Sequence, residues 1–137
     1  MVRCFCWALR DRDLHTLSGG ERQLVALARA LVQGAKVFLL DESLSRMDLH
    51  HQAAIGKLLT ELAAESFSIL LVSHDINIAS EWARTALLMK GGRRIAHGPI
   101  RDVLNEKNIR ALYPSSDLVV GVNPASGAPK VFFGRGI

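Results

Sequence analysis

Two short runs, Val37 to Leu40 and Ser68 to Val72, are continuously apolar and end in polar clusters, Asp41-Glu42-Ser43 and Ser73-His74-Asp75. This pattern predicts two parallel strands buried on both faces. Ile55, Leu58, Leu59 and Leu62 recur between them at helical spacing. Leu24, Leu27, Ala28 and Leu31 do the same before the first run, with Gly34 placed to end that helix. The order helix, strand, helix, strand predicts an α/β class.

Further along, a short helix is expected near Ile76 to Trp82. Ala86 to Met89 and Arg94 to His97 then flank Lys90-Gly91-Gly92-Arg93, where Gly-Gly favours a tight hairpin turn. A two-part helical stretch from Ile100 to Tyr113 stops at Pro114. The tail alternates over Leu118 to Val122 and Val131 to Phe133 around a Pro/Gly/Ser-rich segment, a second hairpin pattern.

The 137 residues are 49% apolar and 22% charged, which suits one domain or part of one. The net charge of +4 adds little, because the Lys and Arg residues are scattered and no basic patch marks a nucleic-acid partner. Cys4 and Cys6 form a lone C-x-C, which supports neither a disulfide framework nor a zinc site. No apolar run approaches the roughly 18 to 20 residues that span a bilayer, so the chain is expected in the cytoplasm or peripheral to the inner face of the cell membrane.

Three places carry candidate chemistry. Ser18 and Glu21 fit an S-x-x-E capping box at the start of the first helix, with Gly19 and Gly20 between them. That turn is either an ordinary helix start or an anion site built from bare N–H groups. Asp41 and Glu42 stand at the C-terminal end of a strand, where ligands of open α/β sheets bind. Asp41 can hold Mg²⁺ while Glu42 orients or deprotonates a water, because successive strand residues face opposite ways. His74 follows the second strand at the same edge and can donate to a phosphate. His50 and His51, early in a helix, are expected to be surface residues.

The ordered set Leu-Ser-Gly-Gly-Glu-Arg-Gln, then a strand ending Asp-Glu, then Ser45-Arg46-Met47-Asp48, then Ser-His-Asp resembles the ABC ATPase family. By that resemblance Ser18, Gly19, Gly20 and Glu21 match the signature motif, Asp41 and Glu42 the Walker B motif, Asp48 the D-loop aspartate and His74 the switch histidine. The resemblance runs from about Leu14 to Tyr113. It implies ATP and Mg²⁺ as ligands, a second cassette as head-to-tail partner, and transmembrane permease subunits. Ser18, Gly19 and Gly20 would then contact the γ-phosphate held by the partner, whereas Asp41, Glu42 and His74 would serve the site of their own subunit. The stretches Asp75 to Ala79, Leu87 to Gly92 and Ala96 to Pro99 are similar to cassettes that import iron–siderophore, haem or cobalamin complexes.

The phosphate loop G-x-x-x-x-G-K, followed by Ser or Thr, does not occur in these residues. The one Gly-Lys pair, Gly56-Lys57, precedes Leu58 in a helical stretch. The family's adenine-stacking aromatic and glutamine loop are missing as well. The expected fold is therefore the C-terminal part of a P-loop NTPase cassette, a mostly parallel sheet with flanking helices plus C-terminal hairpins. Residues 1–13 are expected to be irregular and outside the family frame, 14–113 to form a partial ATPase domain, and 114–137 a tail. A truncated reading frame is the expected cause. A non-catalytic remnant that pairs with other cassettes, and a DNA-repair-type fragment, are the alternatives. Ser43-Leu44 and Arg46-Met47 depart from the more usual Pro-Thr and Ala-Leu, and Arg46 would add a cation at the dimer interface.

Overall fold

The computed structural model describes residues 4–42, 44, 47–114 and 117–134. Ser43, Ser45 and Arg46, with the interface role expected of Arg46, lie outside the described residues. The chain divides into two compact units, Met1–His74 and Asp75–Ile137.

In the first unit, short 3₁₀ turns at Trp7–Leu9 and Leu14–Thr16 lead into helix α1, Gly19–Val32. Ser18 caps α1, and Gly34 follows its end at φ +77°, a left-handed conformation that glycine adopts without Cβ strain. Strand β1 spans Val37–Asp41, helix α2 Leu49–Ala64 and strand β2 Ser68–Val72. The two strands pair in parallel with Val37 opposite Ser68 and Asp41 opposite Val72. Such a pairing needs a crossover, which α2 supplies.

The core of this unit comprises Leu24, Leu27 and Ala28 of α1, Phe38 of β1, and Ile55, Leu58, Leu59 and Leu62 of α2. Cys4 and Cys6 are buried here and free of any disulfide. Gln52 is the polar exception, and its side-chain N–H groups donate to the carbonyls of Leu44 and Met47, each at 3.1 Å. A buried amide bonded in this way ties the segment after β1 to α2 without leaving a polar group unmet.

The parallel pairing forms as expected, but the strands are not covered on both faces. Phe38 is 4% exposed, whereas Val37, Leu39, Leu70 and Val72 are 62%, 73%, 59% and 49% exposed. Successive strand residues alternate between faces, and the register puts these four on one side. Within the first unit that side is left exposed, so a run that reads as doubly buried is half bare.

In the second unit, helix α3 (Ile76–Trp82) precedes an antiparallel hairpin of β3 (Thr85–Lys90) and β4 (Arg93–Pro99). Gly91 and Gly92 both have positive φ, as a two-residue primed turn requires. Helices α4 (Ile100–Val103) and α5 (Glu106–Leu112) follow, then a second hairpin of β5 (Leu118–Val122) and β6 (Pro129–Phe133). Asn77 of α3 acts as a surrogate strand residue on β6. Its amide donates to the Val131 carbonyl at 2.9 Å and accepts from the Val131 N–H at 2.8 Å. Lys130 meets the Glu81 carboxylate at 2.6 Å beside it.

Candidate functional site

The residues singled out by sequence fall into two groups within the first unit. The first is at the start of α1. Ser18 is its N-cap, and the capping box is complete: the Glu21 N–H donates to Ser18 Oγ at 3.2 Å, and the Ser18 N–H donates to Glu21 Oε2 at 2.7 Å. The Ser18 hydroxyl accepts in that bond. The second Glu21 oxygen takes Arg12 Nη1 at 3.0 Å, and Arg12 also donates to the Thr16 carbonyl at 2.9 Å. Backbone and hydroxyl bonds from Ser18, with lesser help from Arg12 and His51, hold the Glu21 carboxyl below the usual carboxylate range.

The two glycines of this turn differ. A Cβ on Gly19 would meet nothing within 4 Å, while one on Gly20 would lie 3.3 Å from His51 Cγ. Gly19 therefore leaves open space at a helix N-terminus, as an anion site needs. Gly20 makes room for an imidazole. That imidazole reaches Asp48, the N-cap of α2, with His51 Nδ1 2.7 Å from Asp48 Oδ2 and the His51 N–H donating to Oδ1 at 2.9 Å. The backbone bond from His51, and then its ring, hold the Asp48 carboxyl low. Both oxygens of Asp48 are thus turned onto its own helix.

The second group lies at the C-terminal end of the parallel strands. Glu42 continues the ladder one residue beyond β1, its N–H donating to the Val72 carbonyl at 2.9 Å. It does so at φ +47°, in the left-handed region that a non-glycine residue occupies at a cost of about 1–3 kcal/mol. There its carboxylate Oε1 stands 2.6 Å from His74 Nε2, both side chains being open to solvent. Asp41, the last residue of β1, is exposed. His74 and Glu42 thus meet in direct contact at the C-terminal end of the strand pair.

The fit to magnesium rests on Asp41 alone. No group of three or more His, Cys, Asp or Glu that could hold a metal ion occurs among the described residues. A single carboxylate beside a phosphate-bearing substrate is nevertheless an ordinary Mg²⁺ donor set, since the ion keeps waters and substrate oxygens for its other positions. No helix among the described residues is long and apolar enough to cross a membrane.

Sequence reasoning missed His51 and Arg12. The Asp48 to His51 spacing of three residues, a helix cap followed by a ring on the same turn, was the available signal for His51. Only the tertiary contact with Gly20 distinguishes it from His50. Nothing in the sequence pointed Arg12 at Glu21, nine residues away.

A signature-type helix start, carboxylates at the end of a parallel strand and a histidine after the next strand define a class, the ABC-type nucleotide-binding cassette. The ABC transporter family model matches residues 6–45. The hemin import ATP-binding protein HmuV of Escherichia coli O157:H7 is 40% identical over 138 residues, covering 96% of this chain and 54% of that protein. The HmuV protein of Hahella chejuensis is 36% identical, covering 90% of this chain and 50% of that protein. A metal-chelate type ABC transporter, solved in an inward-facing conformation, superposes with a TM-score of 0.80 and 26% identity over 94% of this chain and 52% of its own. The chain is a relative of ABC transporter ATP-binding subunits. It spans about half the length of the curated relatives it matches.

Proposed function

We propose that the chain supplies the signature, Walker B and switch elements of the ATP-binding component of an ABC importer for haem, iron–siderophore or cobalamin complexes. The observation that carries this reading is the 2.6 Å contact between Glu42 and His74 at the C-terminal edge of the parallel strands, one residue beyond Asp41. In this reading Glu42 orients and deprotonates the attacking water, and His74, which meets Glu42 here, donates to the phosphate when ATP is bound. Asp41 holds Mg²⁺, which when bound neutralises charge on the phosphate oxygens. Ser18 and Gly19 offer a hydroxyl and free N–H groups to the γ-phosphate bound by a second cassette, and Glu21 fixes that turn. Asp48 and Gly20 shape the same interface from beneath. The permease subunits that pair with such a dimer would hold it at the inner face of the membrane.

The division of labour makes the reading testable with the chain as it stands. The signature group needs only a partner with a phosphate loop, whereas the Glu42 group needs such a loop on its own side. The chain is mixed with a full-length hemin-import cassette whose own signature serine is replaced by arginine, and Mg²⁺-dependent ATP hydrolysis is followed. Hydrolysis should rise by at least about tenfold over either protein alone, the scale of one lost group of transition-state donors or more. Ser18→Arg in this chain should abolish the rise. No rise with the unaltered chain overturns the catalytic reading and favours a remnant that pairs without completing a site.

A further inference from the structure

We propose that His51 is a positioning residue that couples the signature turn to the D-loop aspartate. The inference rests on the functional reading above and extends it to a side chain that the family motifs leave out. The His51 side chain is only 25% exposed, unlike that of a histidine left on the surface of a helix. Its imidazole has a partner on each side. On one side Nδ1 lies 2.7 Å from Asp48 Oδ2, while the His51 backbone N–H takes the other carboxylate oxygen at 2.9 Å. On the other, the ring fills the space where a side chain at Gly20 would stand, with Cγ, Cβ and Cδ2 at 3.3, 3.5 and 3.6 Å from that Cβ position.

An N-cap aspartate needs one oxygen on one backbone N–H to satisfy a helix start. Asp48 does this with Oδ1 and turns Oδ2 onto the ring as well. The second bond fixes the ring plane, and the ring plane is what lies against Gly20. A shift of the segment that carries Asp48 is therefore passed to Gly20 through a bonded, close-packed ring rather than through solvent. Gly20 is followed by Glu21 and preceded by Gly19 and Ser18, so the capping box moves with it. The charged and titratable groups around the ring are Asp48, Glu21, Arg12 through Glu21, and His50, whose ring centroid is 5.6 Å away at an edge-on angle. His51 touches no substrate in this arrangement. It sets where Ser18 and Gly19 stand.

Two variants separate positioning from plain stability. His51→Leu fills the space against Gly20 but has no donor for Asp48. His51→Asn places an amide nitrogen near the position of Nδ1 and restores the bond with less packing. In the mixed-cassette assay, His51→Leu should lower kcat by about tenfold, as loss of an outer partner of a functional group does, with the KM for ATP unchanged. His51→Asn should recover most of that rate. Amide hydrogen exchange in the chain alone gives a second readout that needs no partner: exchange at Glu21 to Gln23 should quicken in His51→Leu and return toward the original in His51→Asn. Equal rates and equal exchange for His51→Leu and the unaltered chain overturn the coupling. Equal losses in both variants overturn it too, since a restored bond to Asp48 would then restore nothing. A mixture in which even the unaltered chain gives no turnover overturns the functional reading, and the exchange comparison then decides the coupling by itself.

Discussion

The bare face of the β1–β2 pair gives a prediction whose size can be worked out. Leu39 and Leu70 are register partners on that face, 73% and 59% exposed, while Leu62 of α2 is 0% exposed. Full burial of a leucine side chain is worth about 1.5–3 kcal/mol, so Leu39 at its exposure draws on only about a quarter of that, roughly 0.4–0.8 kcal/mol. The double change Leu39→Lys with Leu70→Glu loses that remnant and, at Leu70 with its 59% exposure, roughly 0.6–1.2 kcal/mol more. It gains a cross-strand ion pair of about 0.2–1 kcal/mol in return. The net change should stay within about 2 kcal/mol. Leu62→Ala, by contrast, empties a sealed site and should cost about 2–5 kcal/mol. With a urea slope of about 2 kcal/mol/M, the double variant should move the unfolding midpoint by less than about 1 M and Leu62→Ala by about 1–2.5 M. Light scattering at rising concentration should show the unaltered chain associating and the double variant remaining dispersed, because four exposed aliphatic side chains in a block form an adhesive patch. If the double variant loses as much stability as Leu62→Ala, the face is covered in solution and the exposure argument fails.

Three further outcomes are expected. Joined to an upstream segment that carries a phosphate loop, the chain should hydrolyse ATP, and Glu42→Gln should lower kcat on the order of a hundredfold or more while sparing ATP binding; rapid-quench and equilibrium-binding measurements that find both intact would remove Glu42 from its role. Gly19→Ala should leave the thermal midpoint nearly unchanged while Gly20→Ala lowers it, since only the second pushes on His51, and equal midpoints would contradict the assigned packing. The carboxyls of Glu21, Asp48 and Glu81 are held low, that of Glu81 first by Lys130, and a depressed carboxyl stabilises the fold above its unfolded pKa and stops doing so as pH falls through the folded one. Thermal midpoints should therefore be flat above about pH 5 and fall below about pH 4. Glu81→Gln should flatten part of that fall, and an unchanged acid limb would discount the Lys130 contact.

Local order was legible along the chain because short-range physics writes it there. The spacing of Leu24, Leu27, Ala28 and Leu31 marks α1, the Ser18 and Glu21 pair marks its first turn, and Gly91-Gly92 marks the hairpin, each through contacts a few residues long. Ser18, Asp41, Glu42 and His74 were singled out as candidates from residue types at fixed offsets together with a family resemblance. Tertiary structure alone decided three things. It brought Glu42 to His74, across the whole of α2, because parallel pairing of β1 and β2 puts both strand ends at one edge. It separated His51 from its neighbour His50 by laying the ring against Gly20, a residue of a different helix. And it bared Val37, Leu39, Leu70 and Val72, which a one-dimensional pattern cannot distinguish from a doubly covered strand, because an apolar run records what a face tolerates and only packing determines what covers it.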